Sequence, residues 1–420
     1  MSVPVAMFCG GRGGATIARE LLRTPGVRLT LLINGYDNGK STGALRRYLP
    51  GMLGPSDFRK NLLLHLDDRD PEQAALAAVL EHRLPDGTAP RDLAEFAGAL
   101  AVDLVEGCHA LPRRPRLAIA RDLTAFLDRL GAGGGFDLAD CALGNLVFAG
   151  AYLRLGEDFN AAVRSCAATF ASPARLLNVT GGENAHLVAL KRDGGLLADE
   201  AEIVAPQDPA PITDLFLLRD PLRDRDALEA APAGRVRRIL ARRRAALSPN
   251  PAALEAIRDA RLIVYGPGTP HSSLYPSYLA PGVADAVAAS RAAAKVLVVN
   301  IREDHDVQGW SASDHLDRAL AHLGDPSNER RTVTHVLCHA GAGDRPVPVD
   351  PGPVGAEPMN TGPMNAVPVD VPPGLWGRAR WITADLAEPG RPGTHSGRRT
   401  VPVLTDLADL PAAAPLEEAG

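Results

Sequence analysis

Cysteine is scarce in this 420-residue chain, and none of it is paired in a C-x-x-C motif. The spacing argues against a zinc knuckle, and an odd number of scattered thiols argues against a disulfide scaffold. A reducing cytoplasm is therefore the expected location. The five cysteines are Cys9, Cys108, Cys141, Cys166 and Cys338.

Long hydrophobic runs and strong net charge are also missing. The apolar run at 3–9 is too short for a signal peptide or a membrane span, so no membrane partner is expected. A net charge of −5 with mixed signs gives no nucleic-acid footprint. Aromatic residues make up only 4% of the chain, so the core must consist mainly of Ala, Leu and Val.

The first 33 residues carry the pattern of a βαβ unit. The apolar run 3–9 predicts a buried strand, GGRGG a turn, ATIARELLR a helix and VRLTLLI a second strand. Such a unit predicts an α/β protein with a parallel, Rossmann-like sheet and functional loops at its carboxyl edge. Further strands are predicted at 261–269, 295–301 and 331–338.

Four regions follow from these patterns. Residues 1–56 and 261–340 form the predicted Rossmann-like core, and 57–172 a helical insertion. Short strand-like runs in 173–260 predict a small β-rich lobe with its connection to the core. Residues 341–420 are expected to be a proline-rich C-terminal extension with a disordered end.

The glycine-rich turn after the first strand favours close approach of backbone N–H groups to a phosphate. A plain tight turn is the alternative, and a true NAD fold is disfavoured because Thr16 replaces the third glycine of G-x-G-x-x-G. The glycines concerned are Gly10, Gly11, Gly13 and Gly14.

The loop after the second strand, NGYDNGKST, resembles a P-loop only in part. Asn34 stands where the P-loop requires its first glycine, so we expect an anion site of another kind, with or without a metal. Its candidate residues are Asn34, Asp37, Asn38, Lys40, Ser41 and Thr42. Asp57, shortly behind in PSDFRKN, is either a site residue or a helix N-cap.

Two later loops add candidates. The rigid loop GPGTPHSS offers exposed N–H groups through Gly266 and Gly268, and Ser272 before a helix. A Ser–His nucleophile is disfavoured there because no G-x-S-x-G elbow exists. The stretch WSASDH either forms a helix capping box or contacts a ligand. Its candidates, with the residue that closes the preceding strand, are Asn300, Ser313, Asp314 and His315.

Taken in order, these blocks resemble the family of 2-phospho-L-lactate transferases (CofD) and their YvcK-type relatives, the gluconeogenesis factors. The matching blocks are GGRGG, NGYDNGKSTGALR, PSDFRKN, LGNL, GPGTPHSSLYP and, after Asn300, GWSASDH. A CofD-like subgroup, the GAK-system proteins, shows a similar resemblance. Asn38 departs from the family pattern, which has a second acidic residue beside Asp37, and Lys40 replaces a glycine.

The resemblance implies a transferase in which an acceptor hydroxyl of a deazaflavin attacks a phosphorus of a nucleoside-diphosphate-linked phospholactyl donor. Asp37, Lys40 and Asp57 would then be catalytic, and Asp37 would bind Mg²⁺. The YvcK branch implies the alternative, a nucleotide-sugar-binding regulator without catalysis. Small-molecule donor and acceptor are the implied partners, and a homodimer is compatible with both. The resemblance adds Arg59, Asn61 and Asn145 to the nucleotide-binding candidates.

Overall fold

A computed structural model describes residues 2–133, 135–206, 210–339, 365–370, 374–376 and 378–409. The strands are β1 Val3–Phe8, β2 Val27–Ile33, β3 Arg175–Asn178, β4 His186–Lys191, β5 Leu196–Leu197, β6 Ile212–Leu218, β7 Leu262–Tyr265, β8 Ala294–Val298, β9 His335–His339, β10 Gly374–Trp376, β11 Ala379–Ala384, β12 Ala387–Glu388 and β13 Arg391–His395.

The helices alternate with these strands or follow them in runs. They are α1 Ala15–Arg23, α2 Lys40–Tyr48, α3 Ser56–Leu62, α4 Pro71–Glu81, α5 Pro90–Ala101, α6 Arg113–Gly131, α7 Leu143–Arg154, α8 Phe159–Thr169, α9 Glu200–Val204, α10 Arg225–Glu229, α11 Ala233–Arg242, α12 Pro251–Asp259, α13 Tyr275–Tyr278, α14 Val283–Ala289, α15 Ala312–His322 and α16 Gly397–Leu407. In the part of the chain that is described, none is long and apolar enough to span a membrane.

One large sheet has the strand order β10-β11-β9-β8-β7-β1-β2-β3. Every neighbouring pair is parallel except β10 with β11. The central strands are buried without alternation, as expected for a parallel sheet covered by helices on both faces. The predicted Rossmann-like fold is confirmed.

The strand order reverses at β1, which lies between β2 and β7. In open α/β sheets, ligands bind in the crevice beyond the carboxyl ends of the strands at such a reversal. The loops that follow β1, β2, β7 and β8 therefore meet at one edge of the sheet.

The helical region consists of α3 to α8, with α6 packed against both α5 and α7. The small lobe is a three-stranded antiparallel sheet of order β5-β4-β6. Helices α10 and α11 pack on this lobe, where Val188, Phe216, Leu228, Val236 and Leu240 form a separate apolar cluster.

Two segments lie elsewhere than the sequence pattern suggested. Strand β3, expected in the small lobe, pairs in parallel with β2 at the edge of the main sheet. Strand β11 pairs with β9, and α16 packs against α1, although both were expected in a C-terminal extension. Thr16 Oγ1 donates to the His395 carbonyl at 2.6 Å, which fixes this return to the core. The proline-rich stretch 340–364 and the last residues, 410–420, lie outside the described residues.

Candidate functional site

The glycine-rich turn after β1 packs directly against the loop after β7. A Cβ on Gly13 would lie 2.7 Å from both the Gly268 Cα and the Pro267 carbonyl oxygen, and one on Gly10 would lie 2.3 Å from the Ser273 Cβ. Real Cβ atoms do not approach other heavy atoms this closely, so glycine is required at both positions. Asn300 completes the contact, since its side chain accepts from the Gly268 N–H and donates to the Gly268 carbonyl, both at 3.1 Å.

Two predicted ligand-binding asparagines also hold the loops together. Asn34 Nδ2 donates to the Ser273 carbonyl at 2.7 Å, and its Oδ1 accepts from the Tyr36 N–H at 3.2 Å. Asn61 Nδ2 donates to the Gly10 carbonyl at 2.7 Å. These amides join the loops after β1, β2 and β7 to α3, so the three loops form one unit.

Asp57 is buried at the front of α3, beside the glycine-rich turn. Its Oδ1 lies 3.4 Å from Lys60 Nζ and 2.8 Å from where a Cβ on Gly11 would stand. The N-cap position of α3 is Pro55, and no side chain among the described residues caps the helix, so Asp57 is not its N-cap. Burial raises the pKa of the Asp57 carboxyl to about 6, Lys60 lowers it, and the charge of Asp37 raises it further.

The loop after β2 brings a carboxylate that the sequence analysis missed. Glu200, the first residue of α9, accepts from the N–H groups of Asn38 at 3.0 Å and Gly39 at 3.2 Å. In return, Asn38 Oδ1 accepts from the Glu200 N–H at 3.0 Å. Asp37 Oδ1 accepts from the same Gly39 N–H at 2.8 Å, so both carboxylates share one donor.

Burial and the nearness of Asp37 both act on the pKa of Glu200. Burial raises its pKa well above the ordinary range, and the charge and hydrogen bond of Asp37 raise it further. The charge of Asp57 acts in the same direction. Nothing in the local sequence ADEAEIV distinguishes Glu200 from an ordinary acidic residue in the first turn of a helix.

Helix α2 begins at this loop. Gly39 is its N-cap, and Ser41 and Thr42 are buried in its first turn. Lys40 is the first helical residue, but its side chain lies outside what is described. The backbone of Lys40 therefore starts a helix at the Asp37–Glu200 pair, and its contact with phosphate remains a prediction.

Arg46, one helical turn later, is buried beneath the loop. Its Nη1 donates to the carbonyls of Tyr36 at 2.8 Å and Asp37 at 3.0 Å. Its Nη2 donates to Asn184 Oδ1 and the Ala185 carbonyl, which precede β4 of the small lobe. Burial lowers the pKa of this guanidinium, whereas the charge of Asp37 raises it.

The remaining candidate residues lie in α3 and α7, in the loop after β7 and in α15. Arg59 Nε donates to Asn145 Oδ1 at 3.1 Å, so this pair joins α3 to the buried start of α7. Ser272 Oγ is buried, and among the described residues it has no hydrogen-bond partner. His315 lines a cavity of about 20 Å³ together with Asn300. Its Nε2 also lacks a described partner, and burial lowers its pKa to about 4.

Two predicted residues of α15 have partners within the protein. Ser311 and Asp314 form the capping box, with Asp314 Oδ2 accepting from the Ser311 N–H at 2.9 Å. Ser313 donates to Asp370 through its N–H, at 3.1 Å, and through its hydroxyl. Their roles toward a ligand remain predictions.

A buried His–Asp pair lies beside this part of the site. His271 is in the π-helical turn Pro270–Leu274, and its Nδ1 is 2.8 Å from the Asp306 carboxylate. That carboxylate also accepts from the His271 N–H at 2.9 Å. The pair attaches the loop after β7 to the 3₁₀ turn His305–Val307 after β8.

The fold and its loops define a class: a Rossmann-like α/β protein with a polar, carboxylate-bearing site at the carboxyl edge of a parallel sheet, where the order of strands reverses. The family model described as 2-phospho-L-lactate transferase CofD matches residues 5–356. The chain belongs to this family, which confirms the resemblance read from the motif blocks.

Individual relatives carry a different name. The gluconeogenesis factor of Halalkalibacterium halodurans is 26% identical over 330 residues, covering 76% of this chain and 74% of the relative. The gluconeogenesis factor of Bacillus subtilis is 24% identical over 327 residues, covering 76% and 75%. A crystal structure of protein BH3568 from Bacillus halodurans superposes with a TM-score of 0.65 at 21% identity, covering 95% of this chain and 97% of that one. This likeness shows the shared fold.

Proposed function

We propose that the protein is a CofD-like transferase, which moves a phospholactyl-type group from a nucleoside-diphosphate-linked donor to an acceptor hydroxyl. The observation that carries the proposal is the meeting of Asp37 and Glu200 at the start of α2, with Asp57 and Lys60 nearby. Phosphoryl-type transfer needs alignment and charge neutralisation more than covalent help from the protein. Carboxylates, lysines and helix N–H groups are the parts that such chemistry uses.

In this reaction, the acceptor hydroxyl oxygen forms a bond to the phosphorus that carries the lactyl group. The bond from that phosphorus to the bridging oxygen breaks, and a nucleoside monophosphate leaves with the electron pair. The hydroxyl proton must be taken up as the new bond forms. Asp57 is suited to this role, because its pKa of about 6 lies close to neutral pH and makes it a better base than an ordinary carboxylate.

Magnesium fits the donor set at Asp37. Mg²⁺ prefers hard oxygen ligands and is commonly held by one or two carboxylates plus substrate phosphates and water. Asp37 and Glu200 would provide two such carboxylates once the ion displaces the proton that the raised pKa of Glu200 retains, and Glu200 would then take the place of the acid missing at Asn38. The described residues contain no group of three or more acidic, histidine or cysteine side chains arranged for a metal. Substrate phosphates would therefore complete the shell, and the ion would neutralise their charge.

A second function is favoured by the names of the relatives. Gluconeogenesis factors cover about three quarters of this chain, and their name does not describe a transferase. On this alternative, the same loops bind a nucleotide sugar and the protein regulates without catalysis. The reciprocal hydrogen bonds between Asn38 and Glu200 would then serve to close the loop around a ligand.

Thermal-shift measurements with guanosine, uridine and adenosine diphosphates and with a uridine diphosphate sugar, each with and without magnesium, distinguish the two functions. Ligand at a hundred times its dissociation constant stabilises the native state by about 2.7 kcal/mol, which is readily detected. The transferase proposal expects the guanosine compound to stabilise the protein, with a further gain from magnesium. The regulator proposal expects a uridine diphosphate sugar to stabilise it. No response to any nucleotide would contradict both.

A further inference from the structure

We infer that Arg46 is a positioning residue, which fixes the backbone of the Asp37 loop and attaches it to the small lobe. The role of Arg46 in ligand binding rests on the proposed function, but its effect on the loop backbone can be tested separately. The Arg46 side chain is only 5% exposed, although it belongs to a helix whose neighbouring Arg47 is exposed.

The loop has no strand or helix of its own to hold it. Residues 34–38 lie between β2 and α2 and lack the repeating backbone hydrogen bonds of either. Arg46 supplies two of the missing donors, because one terminal nitrogen reaches the carbonyls of both Tyr36 and Asp37. The orientation of the Asp37 carboxylate therefore depends on a guanidinium one turn into the following helix.

The same guanidinium reaches the small lobe. Its second terminal nitrogen donates to Asn184 and Ala185, immediately before β4 begins at His186. The lobe also supplies Glu200, which contacts the loop from α9. Arg46 thus sets the position of the loop relative to the part of the lobe from which the second carboxylate comes.

The planar guanidinium of Arg46 is essential to this positioning role. A guanidinium presents five N–H donors in a rigid fork, whereas the lysine ammonium is a point charge with three rotating donors on one nitrogen. Arg46→Lys keeps the charge but cannot satisfy four acceptors from two separated nitrogens. Arg47→Lys is the matched control, because it makes the same chemical change at the next residue of the same helix, at an exposed position.

Amide hydrogen exchange provides a readout that does not depend on any ligand. In Arg46→Lys, the amides of Tyr36, Asn38 and Gly39 should exchange at least about tenfold faster, the change that corresponds to about 1.4 kcal/mol. The amides of β1 should be unaffected, and Arg47→Lys should match the wild type throughout. Unchanged exchange of the three loop amides in a folded Arg46→Lys protein would overturn the inference.

Affinity for a nucleoside diphosphate supplies the functional readout. Arg46→Lys should bind about tenfold more weakly, as expected for losing a hydrogen bond that involves a charged group. A wild type that binds no nucleoside diphosphate would defeat the proposed function and leave the exchange result to decide the role of Arg46. If Arg46→Lys does not fold, Asn184→Ala removes one acceptor and should speed exchange of the same amides to a smaller degree; no change there would count against the inference.

Discussion

Replacing Asp57 by asparagine should stabilise the protein at neutral pH. The carboxyl is buried, and its pKa rises from the ordinary 3.8 to about 6. The native state therefore keeps this proton over a pH range in which the unfolded chain has lost it. Stability from this group is fully present below about pH 4 and is lost as the pH rises through about 6.

The size of the stabilisation by Asp57→Asn follows from the shift in the pKa of Asp57. One pKa unit corresponds to 1.36 kcal/mol, so a rise from 3.8 to about 6 costs about 3 kcal/mol once the carboxylate is ionised. Asparagine has nearly the same shape as the protonated acid and does not ionise. The difference in unfolding free energy between Asp57→Asn and the wild type should thus be near zero at pH 4 and approach about 3 kcal/mol at pH 7.

Urea denaturation of both proteins at several pH values measures this difference. Asp68→Asn, at an exposed position, is the control and should change stability by less than about 0.5 kcal/mol at any pH. A pH-independent difference, or an Asp57→Asn protein that is less stable than the wild type at pH 7, would show that ionisation of the buried Asp57 carboxyl does not destabilise the native state. If Asp57 is also the base, the stabilised variant should lose turnover, as is common for strained active-site groups.

Three further predictions concern the loops. Gly13→Ala should destabilise the protein by about 1–3 kcal/mol in thermal unfolding, because the new Cβ would overlap the loop after β7. Gly98→Ala is the control and should be neutral or stabilising, because Gly98 has open space around it in α5. Equal effects of the two substitutions would contradict the packing described. Lys40→Ala should weaken nucleotide binding in calorimetry by about 1.5–3 kcal/mol with little change in stability, and unchanged affinity would make Lys40 a solvated residue. Glu200→Gln should abolish the extra affinity for nucleotide that magnesium gives, and adding Asn38→Asp should restore part of that affinity. If nucleotide binding by Glu200→Gln still depends on magnesium, Glu200 is not a ligand of the metal.

The sequence was sufficient for the core of the fold because the central strands are continuous apolar runs joined by short turns. The apolar runs at 3–9 and 27–33 correspond to β1 and β2, and the glycine-rich turn follows β1, where the strand order reverses. The sequence could not assign β3 to a sheet, since a four-residue strand with two leucines fits the edge of the main sheet as well as a separate lobe. Only the tertiary pairing with β2 decides between them.

Site residues that follow a strand could be predicted from the sequence. Site residues contributed by distant segments of the chain could not. Asp37 and Asn300 lie in the short loops that follow β2 and β8, so the strand pattern was enough to place them at the carboxyl edge of the sheet. Glu200 reaches the site from a helix more than 150 positions later, and an acidic residue in a first helical turn is ordinary. Arg46 looks like one of many arginines on amphipathic helices, because burial of a charge cannot be read from its neighbours in sequence.

Turnover is the most direct test of the proposed transferase activity. The protein should be incubated with a phospholactyl guanosine diphosphate donor, a deazaflavin acceptor that carries a free hydroxyl, and magnesium, while phosphorus NMR follows the reaction. A CofD-like transferase should give a new phosphodiester signal and guanosine monophosphate in equal amounts, both absent when the acceptor is omitted. Tight binding of a nucleotide sugar with no phosphodiester formed from this donor would contradict the transferase and favour the regulator.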